Sequence, residues 1–204
     1  MTRSFTSMLL GLQALAAERG DQGEFAAALR RLPGQMEPRM EELPRRIEEF
    51  VDTHTFVDYV YLGQGPFFGI ANEGMLKVTE TSCSYGQCFH TLEYRHGPKA
   101  SVGPEVLVSF LLSESGYEAE REVLEEIKGL GATTLVVANY ADEAVRRAAN
   151  FLVELQLDVP EFARLAAYIV PGQLLGLYTG LKKGHDPDRP RNLSRAVILS
   201  EHDA

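Results

Sequence analysis

Along the first fifty positions, apolar residues recur at helical spacing. Phe5, Met8, Leu9, Leu12, Leu15 and Ala16 fall on one face of a helix predicted over Thr2–Glu18. Glu24 to Leu32 repeats the pattern, and Pro33-Gly34 predicts its end. A third helix is predicted from Met36 to Asp52, with Met40, Leu43, Ile47, Phe50 and Val51 turned inward. Pro44 marks a break or a fresh first turn within it. No strand is predicted in this stretch, which reads as a helical arm, residues 1–54, leading into a body, residues 55–204.

From Phe56 the pattern changes to short continuous apolar runs alternating with helices. "FVDYVYLG" predicts a strand, Pro66 to Ser82 a helix, and "QCFHTL" a short strand. Val106 to Leu112 is a buried strand, Tyr117 to Leu130 an amphipathic helix, and "ATTLVVAN" a β-rich run of the kind covered on both faces of a parallel sheet. Asn150 to Leu155 predicts another strand, Pro160 to Lys183 a long apolar helix stopped by Gly184, and "AVILS" a β-like segment. This alternation predicts an α/β fold with a doubly wound, mainly parallel sheet flanked by helices.

Composition narrows the partners. With 204 residues, 45% hydrophobic and 24% charged, the chain fits a globular protein of one domain plus an appendage. A net charge of -9 leaves no basic surplus for nonspecific nucleic-acid binding, although a local anion site needs only a few donors. Cys83 and Cys88 match no zinc or redox spacing, so a reduced, cytoplasmic chain is expected. "MLLGLQALAA" is too brief for a bilayer span and lacks a clear cleavage pattern, so neither membrane association nor a secretory signal is expected.

Three constellations carry candidate chemistry. Glu73, Lys77 and Glu80, at i, i+4 and i+7, share one helix face. They form either a solvated ion-pair ladder or, among flanking Phe67, Ile70 and Val78, a crevice where a carboxylate beside a lysine moves a proton. His96 precedes Gly97-Pro98 on a loop, as a structural imidazole or a proton carrier. "DPDRPRNLSR" is either a tail tied to a sheet edge or a segment whose Arg189, Arg191 and Arg195 reach an anion. "GQGPFFG" approaches a dinucleotide loop, but its third glycine is one position late and no acidic residue follows a second strand at the required distance. Nicotinamide binding is therefore rejected, and no cofactor or metal is expected.

Taken together these residues resemble the sugar isomerase (SIS) domain family, in particular the second of two such domains in the isomerase half of glucosamine-6-phosphate synthases. That family has a strand ending Leu-Gly-Arg-Gly and then a helix reading Glu-Gly-Ala-Leu-Lys-Leu-Lys-Glu, where this chain reads "LGQG" and "EGMLKVTE". Its His-Gly-Pro stands sixteen residues after the last glutamate, as "HGP" does here, and its closing Pro-Arg-Asn-Leu-Ala-Lys corresponds to "PRNLSR". The resemblance covers nearly the whole chain. It implies an SIS-type sandwich in which Glu80 shuttles a proton between C1 and C2 of an open-chain sugar phosphate. Lys77 would hold charge beside it, and Glu73 would share its face. His96 would assist ring opening from across a homodimer interface. Ser194 and Arg195 would contact substrate.

Two departures bear on the reaction. The family's imine-forming lysine is Arg195 here, and a guanidinium is not a practical imine nucleophile. No N-terminal cysteine or glutaminase domain is present in the chain, which turns the expectation toward deaminases, deglycases and simple isomerases of sugar or amino-sugar phosphates. The family's Ser/Thr-rich phosphate loop is not found at any predicted helix start, so the phosphate site is expected to be incomplete. The rival expectation is a noncatalytic phosphosugar-binding or dimerisation module.

Overall fold

The computed structural model describes residues 2–192. Five strands, β1 (Asp58–Gly63), β2 (Tyr85–His90), β3 (Val106–Leu111), β4 (Thr133–Ala138) and β5 (Phe151–Glu154), form one sheet in the order β2-β1-β3-β4-β5. Every strand pair is parallel. The helices are α1 (Thr2–Arg19), α2 (Gly23–Thr53), α3 (Pro66–Ser82), α4 (Tyr117–Gly129), α5 (Glu143–Ala148), α6 (Leu165–Tyr168) and α7 (Val170–Lys182). The predicted α/β class and its parallel sheet are the ones observed.

Period-two alternation divides the sheet's side chains between two cores. Tyr59, Tyr61, Leu107, Leu111, Leu135 and Val137 join α2, α3 and α7 on one face. Val60, Leu62, Val108, Phe110 and Val136 meet α4 and α5 on the other. A strand buried on both faces must be apolar at successive positions, which explains the continuous runs in the sequence.

The helical arm differs from expectation. Instead of ending at Pro33-Gly34, α2 runs unbroken through Pro33, Pro38 and Pro44. An interior proline costs about 3 kcal/mol. Against this, Leu29, Leu32, Met36, Leu43, Ile47 and Phe50 are buried at three- to four-residue spacing, and each contributes roughly 1.5–3 kcal/mol. Pro33 and Pro38 lie on the exposed side of α2, where their rings displace no core side chain. The predicted face of α1 is also split. Phe5 and Leu9 pack on the core, joined by Leu10 from outside that face, whereas Met8, Leu12 and Leu15 are exposed at 61%, 66% and 55%.

Toward the C-terminus, the single predicted helix from Pro160 to Lys183 is a 3-10 turn (Glu161–Arg164) followed by α6 and α7. Pro171 in the first turn of α7 has no N–H to continue the ladder from α6. Helix α5 is an addition to the predicted elements. It starts on Asp142, whose Oδ1 accepts from the Val145 N–H at 2.8 Å. The β-like "AVILS" segment, Ser194 and Arg195 lie outside the described residues. Among the described residues, no helix is long and apolar enough to cross a membrane.

Candidate active site

The turn from β1 into α3 explains the loop glycines. A Cβ at Gly63 would collide with the Phe67 carbonyl, and Gly65 caps α3 at φ 55 with Pro66 behind it. The glycines therefore make a tight strand-to-helix turn. α3 then runs back across the sheet, so its last turn reaches the edge where the strands begin. There Ser82 Oγ and Ser84 Oγ are hydrogen-bonded at 2.7 Å just before β2.

Helix α7 lies unusually close to α3. A Cβ at Gly176 would stand 2.7 Å from Thr81 Oγ1 and 3.0 Å from the Lys77 carbonyl, and one at Gly172 would stand 3.3 Å from Gly74 Cα. A Cβ at Gly180 would overlap the Thr81 carbonyl. The Gly172, Gly176 and Gly180 stripe thus lets two backbones touch alongside Lys77 and Thr81.

The charged face of α3 is packed rather than solvated. Lys77 Nζ donates to Glu80 Oε2 at 2.6 Å and lies 3.3 Å from Glu73 Oε1. The Lys77 and Glu73 side chains are only 3% and 8% exposed, whereas that of Glu80 is 23% exposed. A surface ladder of the ordinary kind does not bury its central lysine.

Glu80 and Lys77 line a cavity of about 520 Å³ between α3, α7 and residues 184–191. Leu174 and Leu177 supply apolar lining, and Gln173, His185, Arg189 and Arg191 supply polar lining. The tail reaches this position through a Schellman turn at the end of α7. Gly184, at φ 78, donates to the Leu181 carbonyl at 2.9 Å, and the His185 N–H donates to the Gly180 carbonyl at 2.9 Å. Met40, expected inward, is exposed beside this cavity.

His96 stands apart. It ends a 3-10 turn (Glu93–His96), is exposed, and does not line the Glu80 cavity. The turn itself is fixed. Tyr94 is fully buried, and Arg95 Nε donates to Glu126 Oε2 at 2.9 Å. Lys99 also pairs with Glu126, and Lys99 and Arg95 together hold that carboxyl below its ordinary value. The structure thus brings Glu73, Lys77 and Glu80 together within one chain and leaves His96 outside the group.

A second cavity, of about 840 Å³, opens at the carboxyl ends of β3 and β4. It is lined by Ser113-Glu114-Ser115-Gly116 at the start of α4 and by Asn139 and Asp142 after β4. This corrects the expectation that no serine-rich loop precedes a helix. The signal is legible as "SESG" between an apolar run and an amphipathic helix. Glu120, fully buried, fixes the loop by accepting from the Ser113 N–H at 3.2 Å, from Ser113 Oγ and from Thr91 Oγ1 at 3.2 Å. Burial pushes its carboxyl above the ordinary value, and the Ser113 and Thr91 hydrogen bonds only partly oppose this.

The comparisons agree with this architecture. The chain is 31% identical over 201 residues to the isomerizing glutamine–fructose-6-phosphate aminotransferase of Methanothermobacter thermautotrophicus, covering 97% of this chain and 34% of that protein. The crystal structure of glucosamine-6-phosphate deaminase from Thermotoga maritima superposes with TM-score 0.75 at 29% identity, covering 98% of this chain and 57% of that one. The chain has an SIS-like α/β fold and is similar in sequence to the isomerizing aminotransferases over about a third of their length. The fold is shared with tagatose-6-phosphate ketose/aldose isomerase from Escherichia coli, at TM-score 0.72 and 22% identity over 88% of this chain and 49% of that one. No family model matches the chain. The chain spans about a third of the length of the curated relatives it matches.

Sequence reading misses the walls of the Glu80 cavity. Gln173 and Leu174 come from α7, 100 and more positions away from Glu73 in the chain, and only the packing of α7 against α3 brings them there. The three glycines at four-residue spacing are the available signal.

Proposed function

We propose that this domain carries the proton-transfer step of a sugar-phosphate or amino-sugar-phosphate isomerase or deaminase, with Glu80 as the base. In aldose-to-ketose conversion the Glu80 carboxylate takes the proton from C2 of the open chain, leaving an enediolate; the hydroxyl proton passes from O2 to O1, and Glu80 returns its proton to C1. Lys77 orients that carboxylate through their ion pair, and Glu73 holds Lys77 from the other side. The observation that carries the reading is a carboxylate part-exposed to a cavity while its lysine partner is almost wholly buried. Relatives that include an isomerizing aminotransferase and a deaminase of glucosamine-6-phosphate support the substrate class.

In this reading His96 opens the sugar ring in the site of a second copy, within a homodimer in the cytoplasm. Its exposure, its pinned turn and its distance from the Glu80 cavity support service to another subunit. The exposed Met8, Leu12 and Leu15 stripe supports an apolar contact between subunits. Residues 1–54 are the arm between domains, residues 55–204 the SIS domain proper, and Ser194 and Arg195 its further substrate contacts.

The test is solvent deuterium incorporation at C1 of fructose-6-phosphate or at C2 of glucosamine-6-phosphate. Glu80→Gln keeps the side-chain volume but removes the base, so incorporation should cease while the fold persists. Unchanged incorporation would overturn the assignment.

A further inference from the structure

The two cavities differ in charge. The larger has the form of an anion cradle, with two serines and the N-terminus of α4. Its charged lining, however, is wholly acidic: Glu114, Glu118 and Asp142. The nearby cations are already engaged, Arg164 with Glu114 and Arg121 with Asp142 at 2.8 Å. Glu118 forms no ion pair among the described residues, and its full charge outweighs a helix terminus worth about half a charge.

In the Glu80 cavity Lys77 is already held by Glu73 and Glu80, and the two arginines are the remaining cations. Lys77, Arg189 and Arg191 line it against Glu80 and Asp186, in a chain of net charge -9. Neither arginine side chain forms an ion pair among the described residues. Asp186 is occupied with its own turn. Its carbonyl accepts from the Arg189 N–H at 3.0 Å, and its Oδ1 accepts from the Asp188 N–H at 2.9 Å. Pro187 and Pro190 fix the backbone on either side of Arg189. The arginines are thus held on a proline-braced turn after the Gly184 cap, without an ion-pair partner among the described residues.

We infer that Arg189 and Arg191 form an anion subsite in the Glu80 cavity that takes the phosphate of a phosphosugar. Guanidinium groups present paired N–H donors that match phosphate oxygens. Two full charges also exceed the partial negative charge of the α3 C-terminus nearby. A cavity of about 520 Å³ lies within the usual range for small-molecule sites. That the anion belongs to a sugar phosphate rests on the proposed role of Glu80. The subsite itself rests on the arginines.

Calorimetry of the full chain at low ionic strength, with inorganic phosphate, fructose-6-phosphate and fructose as probes, tests this. Millimolar binding of the two phosphates but not of fructose is expected. The double variant Arg189→Gln/Arg191→Gln should weaken it by at least about tenfold, because removing one charge-assisted hydrogen bond lowers affinity by about a decade. Ser115→Ala, in the other cavity, should leave it unchanged. Absence of phosphate binding, an unaffected double variant, or loss in Ser115→Ala would each overturn the inference. Glu80→Gln separates the two readings. Arginine-dependent phosphate binding without Glu80-dependent deuterium exchange would retain the subsite and remove the proton-transfer role, and the reverse result would do the opposite.

Discussion

Lys77 Nζ sits 2.6 Å from Glu80 Oε2 and 3.3 Å from Glu73 Oε1, with only 3% of the lysine side chain exposed. One ammonium thus serves two carboxylates one helical turn to either side. Breaking a buried pair by removing one partner costs about 3–5 kcal/mol, mostly because the remaining charge is left without a counterion. Lys77→Met should fall in that range in urea unfolding. Adding Glu73→Gln should recover part of the loss, since it removes the more buried of the two stranded carboxylates. A Lys77→Met variant as stable as the parent would show that the triad is solvated.

The residues of this triad are legible in the sequence as a spacing, but their burial is not. Periodicity places Glu73, Lys77 and Glu80 on one helix face without saying what covers it. The cover comes from α7, whose approach depends on contacts remote in sequence. Strands β1, β3 and β4 are legible because a strand covered on both faces must be apolar throughout. The expected stop of α2 at Pro33 fails because local propensity takes no account of the tertiary burial of Leu29, Leu32 and Met36. Short α5 has one turn and a half of pattern, too little for periodicity to register.

The contact between α3 and α7 makes a second prediction. Gly176→Ala puts a methyl group 2.7 Å from Thr81 Oγ1 and 3.0 Å from the Lys77 carbonyl, and Gly180→Ala overlaps the Thr81 backbone. Overpacking of this kind costs about 1–3 kcal/mol, against up to about 1 kcal/mol gained from helix propensity. Both variants should unfold at lower urea, Gly180→Ala more so because backbone cannot rotate aside. Gly69→Ala in α3, with nothing within 4 Å of the new Cβ, should be neutral or stabilising. Equal effects at all three positions would refute close packing as the cause.

Glu120 predicts a pH dependence. Its carboxyl is raised above the ordinary 4.5 by burial. A group that binds its proton more tightly when folded gives its full stabilisation below the unfolded value and loses it as pH rises through the folded value. Stability should therefore carry a component that declines upward from about pH 4.5, opposite in sign to carboxylates such as Glu126 that ion pairs hold low. Glu120→Gln retains an acceptor for Ser113 and should lack that component. Urea unfolding from acid to neutral pH measures it, and parallel profiles for parent and variant would contradict it.

The cysteines separate by environment. Burial pushes the Cys88 thiol up to about 12, so at pH 8 only about one molecule in 10⁴ carries the thiolate that reacts. Cys83 is exposed at the end of α3, at φ 50, and lines the Glu80 cavity. Iodoacetamide at pH 8 should therefore modify Cys83 in the native chain and reach Cys88 only on unfolding, as peptide mass mapping would read. Because Cys83 shares a cavity with Arg189 and Arg191, fructose-6-phosphate at millimolar concentration should slow its alkylation, whereas fructose should not. Equal native labelling of both thiols would contradict the raised value of the half-buried Cys88 thiol. Alkylation of Cys83 at the same rate with and without the phosphosugar would separate the thiol from the ligand's place in the cavity.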